Sequence, residues 1–312
     1  MLEHGGRLGE AARRFGIPRA EWLDLSTGIA PWPYPLPAVP AEVWQRLPEE
    51  DDGLEDAAHG YYGTANLLAL PGSQAAIQAL PRLFSSGRVA MPRPIYTEHP
   101  AAWQAAGHTV VGWDEPADYA VLCNPNNPTG ERFSRNALLE RARALRLLVV
   151  DEAFIDAEPM ESLAAANDAE NIVVLRSLGK FFGLAGARVG FAFGAPELLD
   201  RLRETLGPWA VTHPARWAAR RALTDRVWQA AQRERLQVAS RRLAALLGCL
   251  GTPTGCALFQ TLATPRAAAI HEQLARRGIL VRRLDAPAAL RLGLPGSEDA
   301  WQRLEYALKE ME

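Results

Sequence analysis

Arg176-Ser177-Leu178-Gly179-Lys180-Phe181-Phe182-Gly183-Leu184-Ala185-Gly186-Ala187-Arg188-Val189-Gly190 is the stretch on which the reading of this chain turns. The chain uses arginine almost everywhere, and its only other lysine is Lys309, near the C-terminus. A lysine set among glycines and phenylalanines has an apolar environment, which lowers an amine's pKa and frees it for Schiff-base chemistry. Ser177 and Arg188 are a suitable hydroxyl and guanidinium pair for a phosphate dianion. The plainer alternative is a solvent-exposed lysine in a flexible loop, and this segment alone leaves the two even.

Three further segments follow short apolar runs, where α/β sheets place their ligands. Pro71-Gly72-Ser73-Gln74 lies between Leu67–Leu70 and a helix. Free amides at a helix N-terminus suit a phosphate, although Gly-Ser before a helix is also an ordinary cap. Asn124-Pro125-Asn126-Asn127-Pro128-Thr129-Gly130 follows the run ending at Cys123. Asn, Pro and Gly dominate turns, but this stretch is more specific than a turn requires, and an Asn amide can bond a ring oxygen or a carboxylate. Leu147-Leu148-Val149-Val150-Asp151-Glu152-Ala153-Phe154 runs four apolar residues into two carboxylates. A buried charge needs a partner. A pyridinium N–H would be one, and the acid would hold its proton in place. Two acids solvated in a loop, or metal ligands, are the alternatives. No His or Cys lies nearby in sequence to support a metal, and none is expected. Together the four segments supply what pyridoxal 5′-phosphate (PLP) requires of a protein: phosphate-facing amides, a ring-facing Asn, an acid for the ring nitrogen and a Schiff-base lysine.

From Leu67 the pattern alternates between short strands and longer helices. Strands are expected at Arg88–Met91, Thr109–Gly112, Tyr119–Cys123, Leu147–Val150, Ile172–Leu175 and Val189–Phe193. Helices are expected at Gln74–Phe84, His99–Ala106, Ser134–Leu145 and Pro196–Leu206. Such alternation predicts an α/β fold with a mostly parallel sheet covered on both faces. After Gly207 a long helical stretch, Pro214–Leu247, leads into a small α+β domain. Its strands are Ala257–Leu262, Ile279–Arg282 and Ala289–Leu292, and its helices Arg266–Arg277 and Glu298–Lys309. Residues 1–45 are expected to form an N-terminal arm and part of the small domain, 46–207 the large domain, and 208–312 the small C-terminal domain. The run Pro31-Trp32-Pro33-Tyr34-Pro35-Leu36-Pro37 cannot be helical.

Composition narrows the partners. The net charge of -2 and arginines interleaved with acids, as in Arg233-Glu234-Arg235, argue against nucleic acid. Three cysteines, odd in number and without CxxC spacing, fit a reducing compartment. The N-terminus shows no basic head with an apolar run, and no window has the length of a membrane span. A cytoplasmic protein without membrane contact is expected.

These motifs, in this order, resemble those of fold-type-I PLP enzymes of the aspartate-aminotransferase superfamily. The chain is similar to the histidinol-phosphate aminotransferase branch, and within it to the threonine-phosphate decarboxylase group. His4-Gly5-Gly6, Leu23-Asp24-Leu25-Ser26-Thr27-Gly28-Ile29, Asp151-Glu152-Ala153-Phe154-Ile155-Asp156 and Gly179 through Gly186 carry that likeness. The resemblance implies a mostly parallel seven-stranded sheet and a homodimer. It makes Lys180 and Asp151 catalytic, the first holding the cofactor as a Schiff base and the second pairing with the ring nitrogen. It puts Ala153 and Tyr96 on the two ring faces, Asn127 on the ring hydroxyl, and Ser73, Gln74, Ser177 and Arg188 on the phosphate. For a phosphorylated amino-acid substrate it implies Gly28 and Asn127 as neighbours, Arg291 on the carboxylate, and Arg282 and His4 on the phosphate. The implied reaction is decarboxylation of O-phospho-L-threonine to (R)-1-amino-2-propanol O-2-phosphate, for cobalamin biosynthesis; histidinol-phosphate transamination is the alternative. Related aminotransferases carry Tyr where this chain has Phe154, and a partner-donated Tyr where it has Leu47. Ala30 stands in place of an Asn common in the group.

Overall fold

The computed structural model describes residues 4–166 and 169–311. Among them are twelve strands: β1 Leu23–Leu25, β2 Leu67–Leu70, β3 Arg88–Met91, β4 Thr109–Gly112, β5 Tyr119–Cys123, β6 Leu147–Asp151, β7 Ile172–Ser177, β8 Gly190–Phe193, β9 Thr254–Cys256, β10 Phe259–Ala263, β11 Ile279–Asp285 and β12 Ala288–Gly293. Seven form one sheet in the order β2-β8-β7-β6-β5-β3-β4. All neighbours from β7 to β4 are parallel, and β8 alone runs against both β7 and β2. The expected mostly parallel, seven-stranded sheet is therefore present.

The apolar runs form strands here because both faces are covered, so every residue of β5, β6 and β7 is buried. On one face Val149, Leu175 and Ala192 pack against Ile77, Trp103 and Leu199 from the helices Ser73–Ala79, Glu98–Ala105 and Pro196–Leu206. On the other, Tyr62 of the helix Leu54–Tyr62 packs its ring 5.4 Å from Phe191 and 4.9 Å from Phe193. The remaining five strands form a second sheet, β1-β11-β12-β10-β9. Of these, the three-residue β1 and β9 are too short to show a periodicity and were not expected.

Two compact units result. The larger comprises Pro33–Asn127 and Arg132–Arg233; the smaller comprises the chain up to Trp32, Pro128–Glu131, and the chain from Glu234. The division differs from the boundaries expected at 45/46 and 207/208. The composition does change at Gly207, but Arg216 ties the following helix, His213–Thr224, to the larger unit. Its guanidinium donates to both oxygens of Asp52, at 2.8 Å each, and to both of Glu55, at 2.9 and 2.6 Å. The stretch Pro214–Leu247 is likewise two helices, His213–Thr224 and Arg226–Leu247. Asp225 leaves helical geometry between them and accepts the Trp228 amide at 2.9 Å, an N-terminal cap. The Pro-rich run is neither helix nor strand. Tyr34 within the larger unit is buried, and its amide donates to the Phe182 carbonyl at 2.9 Å.

Burial pushes the Asp52 carboxyl up, but hydrogen bonds from Arg216 and the Leu54 amide outweigh it and hold the group below the usual carboxylate range. A depressed folded-state pKa contributes stability above the unfolded value, near about 4, that is lost as pH falls through the folded value. Asp52→Asn should therefore cost on the order of 2 kcal/mol at pH 7, with the difference from the parent shrinking below about pH 4. Urea denaturation at both pH values measures this; a pH-independent difference would refute the ion-pair account.

Candidate active site

The C-terminal ends of four parallel strands, β2, β7, β6 and β5, open on one edge of the large sheet. Asp151 closes β6, opposite Leu175 of β7 and Cys123 of β5. Ser177 closes β7 opposite Gly190, whose other neighbour is Leu70 at the end of β2. Register alone thus brings Gly72-Ser73-Gln74, the turn Ser177–Lys180, Asp151 and the loop after Cys123 to one rim.

Two glycines let backbone and side chain approach closely at this rim. A Cβ on Gly190 would sit 2.5 Å from the Ser73 amide nitrogen, and one on Gly72 would sit 2.5 Å from Arg188 Nη2. Gly72 also has φ +79°, where side chains are strained. Only glycine at both positions lets the first amides of the helix Ser73–Ala79 and the Arg188 guanidinium draw this close. Ser177 Oγ lies beneath, accepting the Gly179 amide at 3.3 Å.

Beside these groups lies a buried acid. Asp151 accepts the Ala153 amide at 3.1 Å through Oδ1, and its Oδ2 lies 2.9 Å from His99 Nε2. An imidazole N–H donating to the carboxylate accounts for that distance. Around them stand Cys123, Tyr96 and Asn127. Burial, reinforced by the Asp151 charge, pushes the Cys123 thiol well up, with the Tyr96 and Asn127 backbone amides acting in the opposite sense. The Tyr96 hydroxyl donates to Gln74 Oε1 at 3.4 Å. Burial, with the charges of Glu98 and Asp151, pushes that phenol up to about 12. Ala153 and Phe154 are buried, and Lys180 Nζ lies 5.4 Å from the Phe154 ring centroid. Helix-start amides beside a guanidinium, a buried acid and an amine near an aromatic ring are groups that a phosphorylated pyridine aldehyde would need, so the residues present fit PLP.

The larger unit therefore gathers Ser73, Gln74, Tyr96, Asn127, Asp151, Ala153, Ser177, Lys180 and Arg188. The four other candidates, His4, Gly28, Arg282 and Arg291, belong to the smaller unit. There Arg282 and Arg291 are cross-strand partners in β11 and β12. Arg291 is 8% exposed and donates to the Ser26 carbonyl at 3.1 Å. His4 and Arg282 line one cavity of about 140 Å³ with Ser26, Arg7, His271 and Arg283. The Gly6 amide donates to Ser26 Oγ at 2.7 Å, fastening the His-Gly-Gly opening beside it. Gly28 is buried in the loop after β1, next to Thr27, whose carbonyl a Cβ on Gly293 would meet at 2.2 Å.

Sequence reading missed His99 and Cys123. It set metal aside because no His or Cys is near Asp151 in sequence, yet ligand atoms of His99, Cys123 and Asp151 lie within 4.8 Å of one another. The trio lies at the C-terminal rim of β5 and β6, where Cys123 and Asp151 are cross-strand neighbours. His99 follows Tyr96 by three residues, a helical spacing that could have drawn attention to it. Glu152, one of the two acids for which the sequence leaves a solvated loop as the alternative, is fully buried on the reverse face.

The aminotransferase class I and II family matches residues 51–310. The chain belongs to the class I and II aminotransferase family. A curated threonine-phosphate decarboxylase of Pseudomonas aeruginosa is 57% identical over 99% of this chain and 97% of its own length. Another from a Sinorhizobium species is 42% identical over 100% and 98%. The solved histidinol-phosphate aminotransferase of Sinorhizobium meliloti, in complex with pyridoxal-5′-phosphate, superposes with a TM-score of 0.85 at 21% identity, over 99% of this chain and 95% of that one. The match of this member of the class I and II aminotransferase family to that structure supports the fold.

His99→Leu would leave the buried Asp151 without its imidazole. It should cost about 1–3 kcal/mol in urea denaturation at pH 7; an unchanged stability would show that this hydrogen bond carries nothing.

Proposed function

We propose that this protein is a PLP-dependent decarboxylase that converts O-phospho-L-threonine to (R)-1-amino-2-propanol O-2-phosphate and carbon dioxide, for the nucleotide loop of cobalamin. The observation that carries the reading is the near-full-length identity to threonine-phosphate decarboxylases, on a chain whose Lys180, Asp151 and Arg188 are intact.

PLP, once bound, supplies an electron sink for the pair released at the substrate's Cα. The protein's own residues do the rest. Ser73, Gln74, Ser177 and Arg188 would hold the phosphate, and Lys180 would be the amine for the aldehyde carbon. Asp151, fixed by His99, keeps the proton on the ring nitrogen. Asn127 bonds the ring hydroxyl without a phenol beside it, since Phe154 occupies the position of the aminotransferase Tyr. Arg291 takes the substrate carboxylate, and Arg282 with His4 takes its phosphate. These holds would orient the substrate's Cα substituents, and so would decide whether carbon dioxide or a proton is lost.

The enzyme is further proposed to work in the cytoplasm as a homodimer. Three free cysteines suit a reducing compartment. Trp44, Leu47 and Trp209, in the larger unit, are 68%, 61% and 59% exposed, which suits a face covered by a second copy. No helix among the described residues is long and apolar enough to cross a membrane.

Incubated with O-phospho-L-threonine, the purified protein should release carbon dioxide without any keto acid, and Lys180→Ala should lower turnover at least about 1,000-fold and abolish the visible band of the lysine-bound cofactor. Product formation from histidinol phosphate that requires 2-oxoglutarate, with no carbon dioxide, would replace this reading by the aminotransferase.

A further inference from the structure

The reverse face of the active-site strands carries a buried charge cluster to which the chemistry above gives no task. Arg176 is the residue before Ser177 in β7, and Glu152 is the residue after Asp151 at the end of β6. Alternation along a strand sends neighbours to opposite faces. Asp151 and Ser177 therefore face the cofactor side, and Glu152 and Arg176 the other. There Arg176 Nη1 donates to Glu152 Oε2 at 2.9 Å and Nη2 to Asp156 Oδ1 at 2.7 Å. The two carboxylates are wholly enclosed, and Arg176 is 3% exposed. Ser162 Oγ donates to Glu152 Oε2 at 2.6 Å, and the Leu163 amide to Oε1 at 2.8 Å. The Tyr61 hydroxyl donates to Asp156 Oδ1 at 3.1 Å, and Arg233 holds both the Asp156 carbonyl, at 3.0 Å, and the Tyr61 oxygen, at 3.2 Å. Tyr62 lies under the Arg176 guanidinium, 4.9 Å from ring centroid to Cζ.

Two acids against one guanidinium, all desolvated, make a poor source of stability: well-packed apolar residues often do as well or better. Burial pushes both Glu152 and Asp156 up, and Arg176 only partly offsets this. What such a cluster does well is fix geometry. Glu152 and Asp156 bracket Ala153-Phe154-Ile155, which include two of the buried residues beside Asp151 and Lys180. Arg176 sits at the root of the turn that carries Ser177 and Lys180. One guanidinium thus fastens the loop that follows Asp151 at the end of β6 to the strand β7, which leads into the turn bearing Lys180.

We infer that Arg176 is a positioning residue: clamped between Glu152 and Asp156 behind the sheet, it sets Asp151, Phe154 and Lys180 in the register that the bound cofactor needs. The inference rests on the PLP reading above and goes beyond it by assigning Arg176, Glu152 and Asp156 a role.

Glu152→Gln keeps the side chain's shape but removes its charge and replaces one acceptor oxygen by a donor amide, and Arg176→Lys keeps the charge but removes the fork. Each is compared with the parent and with Asp151→Asn by three measurements: far-ultraviolet circular dichroism with thermal unfolding of the apoprotein, PLP affinity of the apoprotein by fluorescence, and the pH midpoint of the visible band of the loaded protein. Folded variants should bind PLP about 10- to 100-fold more weakly, with the midpoint displaced by about one unit in the same direction as in Asp151→Asn. Variants that lose only thermal stability, with parental affinity and midpoint, overturn the inference and leave a structural ion cluster. Should Arg176→Lys fail to fold, Glu152→Gln decides alone on the same criteria. A parent that binds no PLP overturns the cofactor reading and this inference together, whereas a parent that binds with unaffected variants overturns this inference alone.

Discussion

A carboxylate buried at the end of a parallel strand has to be answered by hydrogen-bond donors, and much of the larger unit is organised by the answers given at Asp151. Isolated in an apolar interior, the ion would cost several kcal/mol. One oxygen accepts the Ala153 amide and the other meets His99, each within about 3 Å. The helix Glu98–Ala105 delivers that imidazole while burying Ala102 and Trp103 in the core beneath. Packing on one side of the sheet and charge satisfaction at its rim are thus served by the same helix.

Strand alternation then explains why two acids in a row have different fates. Asp151 follows Val149 on the face covered by His99, whereas Glu152 follows Val150 onto the face covered by Tyr61 and Tyr62. A single peptide step separates a group available to a ligand from a group sealed in an ion cluster. The same step separates Ser177 from Arg176 on β7.

That division marks the limit of what sequence patterning could disclose. The strands were legible because a sheet covered on both faces demands unbroken apolar runs such as Leu147–Val150. The rim residues were legible because Lys180, Asp151 and Asn127 interrupt those runs with chemistry that a core would not choose. His99, Cys123 and Arg176 were not, because each takes its meaning from a partner distant in sequence: 52 residues separate His99 from Asp151, and 24 separate Arg176 from Glu152. A composition shift at Gly207 likewise said nothing of Arg216, whose four hydrogen bonds to Asp52 and Glu55 reach back 164 and 161 positions. An arginine ending the run Ile172-Val173-Val174-Leu175 was nonetheless a usable warning, since a charge between two covered faces must be paired.

The segment Asn124 to Gly130 shows why a turn rule alone undervalued it. Asn124 closes the loop onto itself, its amide nitrogen donating to the Phe133 carbonyl at 2.9 Å and its oxygen accepting the Phe133 amide at 3.1 Å. Asn126 reaches the Pro94 carbonyl at 2.9 Å. Through Asn127 the chain belongs to the larger unit; from Pro128 to Glu131 it belongs to the smaller. There Thr261 donates to the Pro128 carbonyl at 2.6 Å, and Gly130, with φ +75°, runs so close to β9 that a Cβ would lie 2.3 Å from the Gly255 backbone. Thr261 is in turn the cross-strand neighbour of Arg291. The residue types of this motif therefore answer separate demands: amides that lock a loop, a proline carbonyl anchored by the strand beside Arg291, and a glycine where only a bare backbone fits.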